Sequence, residues 1–171
     1  MKSWMIAVIC LAMAIGVMAQ PLDDTATCAI SVTVDNIMEW SGAFLDIELL
    51  TMATQDAAPT GTQTTTLYTN GNVDITADNT DNSQLTKTTD TLVTSYSLAY
   101  NGNGVAATGG SSVAYTVHSS FLSSASVVTH VSLDGAVDVT LGAMAQHDAG
   151  NVADAGDYTA TQTLTASWGT Q

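Results

Sequence analysis

Residues 62–77 read TQTTTLYTNGNVDITA, and this stretch decides the fold class. Thr62 to Thr69 is dense in the β-branched and aromatic residues that fit a pleated surface. Val73, Ile75 and Ala77 then alternate with Asn72, Asp74 and Thr76, the period of two expected of a half-buried strand. Asn70-Gly71 lies between the two runs and is a turn signal, so the stretch reads as strand, hairpin turn, strand.

The same alternation extends outward in both directions. Cys28, Ile30, Val32 and Val34 share one face of a candidate first strand, and Leu45, Ile47 and Leu49 alternate with Asp46 and Glu48. Downstream, Leu92 to Tyr100, Val113-Tyr115-Val117, Val127-Thr129-Val131 and Val137 to Ala143 repeat the pattern. Threonine occurs 27 times, all after residue 24, a bias that favours sheet over helix. Only Asp35 to Gly42 has a helical look, and long helical patterns are missing. About nine strands separated by turn signals predict an all-β fold, an immunoglobulin-like antiparallel β-sandwich of Greek-key type.

The end of the chain, DAGDYTATQTLTASWGTQ at 154–171, poses a topological question. Asp-x-Gly-x-Tyr opens the next-to-last strand of immunoglobulin-like sandwiches. Tyr158 to Trp168 alternates as a strand, yet only Gly169, Thr170 and Gln171 follow. On that topology a closing strand is expected from elsewhere, either the N-terminal strand of the same chain or that of a neighbour.

The N-terminus has the form of a secretion signal. Met1-Lys2 is followed by an uncharged apolar run from Trp4 to Val17, with small residues at Val17 and Ala19 before a cut. The run is shorter than the roughly 20 apolar residues of a membrane span, so a secreted protein without a membrane span is expected. Residues 20–171 then form a single domain, with 20–34 as a candidate donor strand. Lys87 alone faces 16 carboxylates in that part, which argues against nucleic acid or anionic membrane as a partner. Cys28 has no partner there for an internal disulfide; it is either a small apolar residue or one half of an intermolecular bond.

Chemistry-bearing patterns are sparse. His118, His130 and His147 lack metal-ligand spacing, although His118 and His130 could face each other across a hairpin. No nucleophile-elbow, zinc-protease or phosphate-loop pattern occurs. Glu39, Asp46 and Glu48 are the only carboxylates that suggest a glycosidase pair, and outward positions on a strand favour simple solvation; no enzyme is expected. No cofactor is expected either, with calcium the one ion considered. Asn70, Asn72, Asp74, Asp78 and Asp81 gather hard oxygen ligands, without the glycine and final glutamate of an EF-hand loop. Trp40, Tyr68, Tyr100 and Trp168 are candidates for an aromatic sugar platform, which makes a carbohydrate-binding module the alternative function.

Two motifs carry a resemblance. Thr65 to Ile75, a threonine-rich strand followed by Asn-Gly and a second strand, resembles secreted fimbrial and spore-coat-U-like subunits of the chaperone–usher pilin superfamily. Ala155-Gly156-Asp157-Tyr158-Thr159 is similar to their terminal strand, and Gly156 and Trp168 reproduce a twelve-residue spacing, with Trp in place of Tyr. Many members have a disulfide, which this chain lacks the cysteines to form after the signal. A similar terminal strand occurs in cell-wall-binding WxL domains, but no Trp-x-Leu occurs here. The resemblance implies a self-associating subunit of a surface filament, pilus or coat, with an assembly chaperone as a further partner. It implies that Cys28, Ile30, Val32 and Val34 are donor side chains entering a groove beside Gly156, Tyr158, Leu164 and Trp168.

Overall fold

The computed structural model describes residues 25–169. The signal segment at 1–19 lies outside the described residues. The chain divides into two units, Met1–Val34 and Asp35–Gln171, and all the sheets belong to the second.

The fold is all-β. Among the described residues the only helical pieces are two short 3-10 turns, Asp81–Ser83 and His118–Ser120. Five antiparallel strands make the larger sheet: β1 (Met38–Trp40), β2 (Thr60–Thr69), β6 (Val93–Tyr100), β8 (Val113–Val117) and β10 (Ala136–Gln146). Their spatial order is β1-β2-β10-β6-β8. The second sheet has the order β11-β3-β9-β7, from β11 (Leu164–Trp168), β3 (Val73–Ala77), β9 (Ser126–Thr129) and β7 (Gly109–Gly110). A small hairpin, β4 (Thr86–Lys87) with β5 (Asp90–Thr91), stands apart.

One core lies between the two larger sheets, which is what makes the molecule a sandwich. The first sheet contributes Leu67, Leu98, Val137, Val139 and Leu141, the second Val73, Ile75 and Val128, and the connecting turn Phe121 and Leu122. Each such side chain contributes about 1.5–3 kcal/mol when fully removed from water. The register carries the alternation into pairs: Val137 faces Leu67, Val139 faces Thr65, and Leu141 faces both Gln63 and Leu98. Odd-numbered residues of β2 and β10 therefore point inward and even-numbered ones outward.

Several expectations from sequence change here. Asn70-Gly71 does not close a hairpin, because β2 and β3 lie in different sheets. A two-residue I′ turn needs positive φ at both central residues, and neither Asn70 nor Gly71 has it. The chain instead turns a corner between sheets. Asn70 pins it by accepting from Ile37 N at 2.8 Å and donating to Asp35 O at 2.9 Å, while Thr69 Oγ1 donates to Gly71 O at 2.7 Å. Those bonds also draw residues 35–37 alongside, and Met38–Trp40 becomes a strand on β2 rather than part of a helix.

Residues 25–34 and 43–52 alternate in sequence but form no strand. Ile47 and Leu49 still pack on the core, whereas Leu45 is exposed. Tyr158 to Trp168 is also not one strand; only Leu164–Trp168 pairs with β3. Residues 154–163 are taken up by other partners and form a strap, described next.

Candidate functional site

The strap is held at one end of the second unit by the β4–β5 hairpin. Thr86 and Thr159 exchange both backbone bonds, at 3.0 and 3.2 Å, and Thr161 N donates to Asn82 O at 2.8 Å. Asp90 Oδ2 accepts from Asp154 N at 2.6 Å and from the Tyr158 hydroxyl. Lys87 Nζ donates to Ala155 O. Gly156 has φ +146°, a backbone conformation that favours glycine, and the end of the Lys87 side chain lies against it.

The electrostatics follow from this clamp. The Tyr158 hydroxyl and the Asp154 and Thr91 amides hold the Asp90 carboxyl below its ordinary value, with Lys87 adding a smaller pull. Partial burial and the Asp90 carboxylate push Tyr158 up to about 12. At neutral pH the phenol keeps its proton and the carboxylate lacks one, as a donor–acceptor pair requires. Beside the strap lies an open cleft of about 770 Å³ lined by Ile47, Leu49, Leu50, Met52, Val152 and Tyr158 among others. The clamp ties the strap to the β4–β5 hairpin, and Glu48, His147, Asp154 and Asp157 also line the cleft beside it.

Of the oxygen-rich residues considered for calcium, Asn70, Asn72 and Asp78 hydrogen-bond to backbone groups. Asn70 pins the corner, and Asn72 Oδ1 accepts from His130 N at 3.0 Å. Asp78 Oδ1 accepts from Thr80 N at 2.9 Å, and hydrogen bonds from Thr80 lower its pKa. Asp74 lies on β3 beside Gly169, and Asp81 starts a 3-10 turn at the surface. Among the described residues, no group of three or more His, Cys, Asp or Glu is placed to hold a metal ion.

The histidines do not face each other across a hairpin. β8 belongs to the first sheet and β9 to the second, so residues 118–125 cross between sheets. His118 is buried. Glu39 lies on β1 opposite Tyr68, while Asp46 and Glu48 are exposed on the strand-free segment.

The residues read as assembly elements fall in three places. Cys28, Ile30, Val32 and Val34 are exposed, Ile30 at 92% and Val32 at 86%. Gly156 and Tyr158 belong to the strap clamp. Leu164 and Trp168 share a face of β11, with Leu164 packed on the core and Trp168 exposed.

The four aromatics considered as a sugar platform are not brought together. Trp40 stacks obliquely on Phe44 at 6.0 Å. Tyr100 points inward to Ser126 Oγ at 2.7 Å, and burial pushes it up to about 12. Tyr68 and Trp168 stand on different sheets.

Sequence reasoning missed Tyr115. In the register of β6 with β8, Tyr96 pairs with Thr116 and Leu98 with Val113, so β8 carries one extra residue, a bulge. Val113 thus faces the core while Tyr115 and Val117 face solvent. The signal that could have found it is Gly142, a glycine inside a long strand, which marks a close approach. A Cβ on Gly142 would come within 2.9 Å of the Tyr115 hydroxyl.

No helix among the described residues is long and apolar enough to cross a membrane. Comparison with known protein families, curated proteins and solved structures finds no match.

Proposed function

We propose that this is a non-enzymatic, secreted structural protein that self-assembles into a filament, pilus or coat by adding a strand from one copy to a sheet edge of the next. The observation that carries the reading is the contrast among the four edges of the two larger sheets. β7 is two residues long, β1 is three and carries Glu39, and β8 is bulged. Short, charged or bulged edges resist pairing with another chain. β11, Leu164-Thr165-Ala166-Ser167-Trp168, is the exception: five residues without charge, proline or bulge, at the end of its sheet.

The matching segment is Thr25 to Val34. It contains no charge, alternates apolar residues at Cys28, Ile30, Val32 and Val34, and forms no strand of its own. Strand addition satisfies unpaired main-chain groups on both partners and places alternate side chains against the receiving sheet. An uncharged donor also adds no repulsion to a chain of net charge −14.

Deletion of residues 20–34 tests the proposal. Light scattering and negative-stain microscopy should show large regular particles for the full protein and monomers for the truncated one. Particles of the same form from both proteins would sink it.

A further inference from the structure

We infer that the outer face of the five-stranded sheet is a binding face for a neutral polysaccharide, independent of assembly. Two exposed aromatic side chains bracket it. Tyr115, aimed outward by the β8 bulge, reaches across β6 to lie over Gly142 of β10. Tyr68 emerges from the other end of the face, opposite Ala136. Tyr115 is 39% and Tyr68 45% exposed. The six steps from Ala136 to Gly142 separate the two by about 20 Å along the strand, the reach of a short oligosaccharide.

Between the aromatics runs a band of groups suited to sugar hydroxyls. Thr62, Thr64 and Thr66 alternate along β2, with Thr140 and Asp138 beside them on β10. Asp138 is fixed rather than free: Oδ1 accepts from Thr66 Oγ1 at 2.7 Å, Oδ2 from Asn101 Nδ2 at 3.2 Å, and its amide donates to Asn101 Oδ1 at 2.9 Å. Thr64 and Thr140 join their hydroxyls at 2.7 Å. Each carboxylate oxygen keeps acceptor capacity for a ligand hydroxyl, and the held geometry limits the ordering cost on binding.

The chemistry selects the occupant. Sugar rings offer apolar C–H faces that stack on flat aromatics and hydroxyls that pair with Asp, Asn and Thr. Glu39 and Asp138 on the face, within a chain of net charge −14, repel sulfated and uronic-acid chains. A neutral chain meets no such barrier.

The test is depletion binding of the full protein on insoluble cellulose, chitin and β-1,3-glucan, with heparin-agarose as the acidic arm. Retention on at least one neutral polymer is expected, weakened tenfold or more by Tyr115→Ala and by Tyr68→Ala, and largely kept by Tyr115→Phe. Circular dichroism should show all three variants folded. Retention on none of the neutral polymers, retention on heparin alone, or retention unchanged in both alanine variants would overturn the inference.

Discussion

Strand β2 and the segment Thr25 to Val34 share the marks of a strand in sequence and meet opposite fates. Both are about ten residues long, free of charge and rich in β-branched side chains. β2 is paired on both sides, by β1 and β10, and buries Leu67 completely. Thr25 to Val34 forms no strand and leaves Ile30 and Val32 almost fully in water. Alternation in a sequence therefore specifies a willingness to pair, and the partner decides whether a strand exists. Strand propensity measures fit to a surface that neighbours must supply.

That comparison breaks most readily at its buried end. Leu67→Ala should lower unfolding free energy by about 2–5 kcal/mol, as buried leucines do when a cavity remains, read from urea denaturation. Ile30→Ala in the dilute monomer should stay within about 0.5 kcal/mol of the parent. Equal losses at the two sites would mean that Thr25 to Val34 is paired in the isolated chain. Under conditions of assembly the order should invert, with Ile30→Asp abolishing particles by light scattering.

Next in size is the corner that sends β2 and β3 into separate sheets. Asn70→Ala removes two side-chain bonds to residues 35–37 and should cost about 1–3 kcal/mol. Amide exchange should quicken at Ile37 before it does at Leu67. Uniform acceleration along β2 would show that the corner and the sheet open as one unit.

The smallest effect expected is at the strap. Asp90 has a lowered pKa, so its contribution is complete above the ordinary carboxyl value near 3.8 and is lost as pH falls through the lower folded value. Asp90→Asn should melt below the parent at pH 7, and the gap should close in strong acid. A gap that stays constant down to pH 2 would assign the effect to shape rather than charge.

Much of the architecture was legible because burial follows period two. Leu67, Val73, Ile75, Leu98, Val137, Val139 and Leu141 all stand where alternation puts them. Connectivity was harder to read. Asn-Gly signals a change of direction equally well for a hairpin or a corner, and the Asn70 bonds to residues 33 and 35 positions away are invisible locally. The bulge in β8 depends on pairing with β6, so one extra residue reversed the expected face of Tyr115. The strap was hidden for a similar reason: Thr159 and Thr161 alternate well but bond to Thr86 and Asn82 instead of a sheet. Of the candidate sites, the apolar face of Cys28, Ile30, Val32 and Val34 was visible as a pattern, and the uncharged edge at β11 became visible only with strand order.

Lys87 has one more consequence. Lysine and arginine together number two in the chain, at positions 2 and 87, so trypsin has a single target beyond the extreme N-terminus. That target sits in a two-residue strand, followed by Thr88 with φ 57° and tied by its ammonium to Ala155 O. Proteases cut chain that can open into their cleft, and here opening requires the hairpin to release the strap. Tryptic cleavage into two fragments of similar length is thus a built-in clock for strap opening, read from a single gel band without any label.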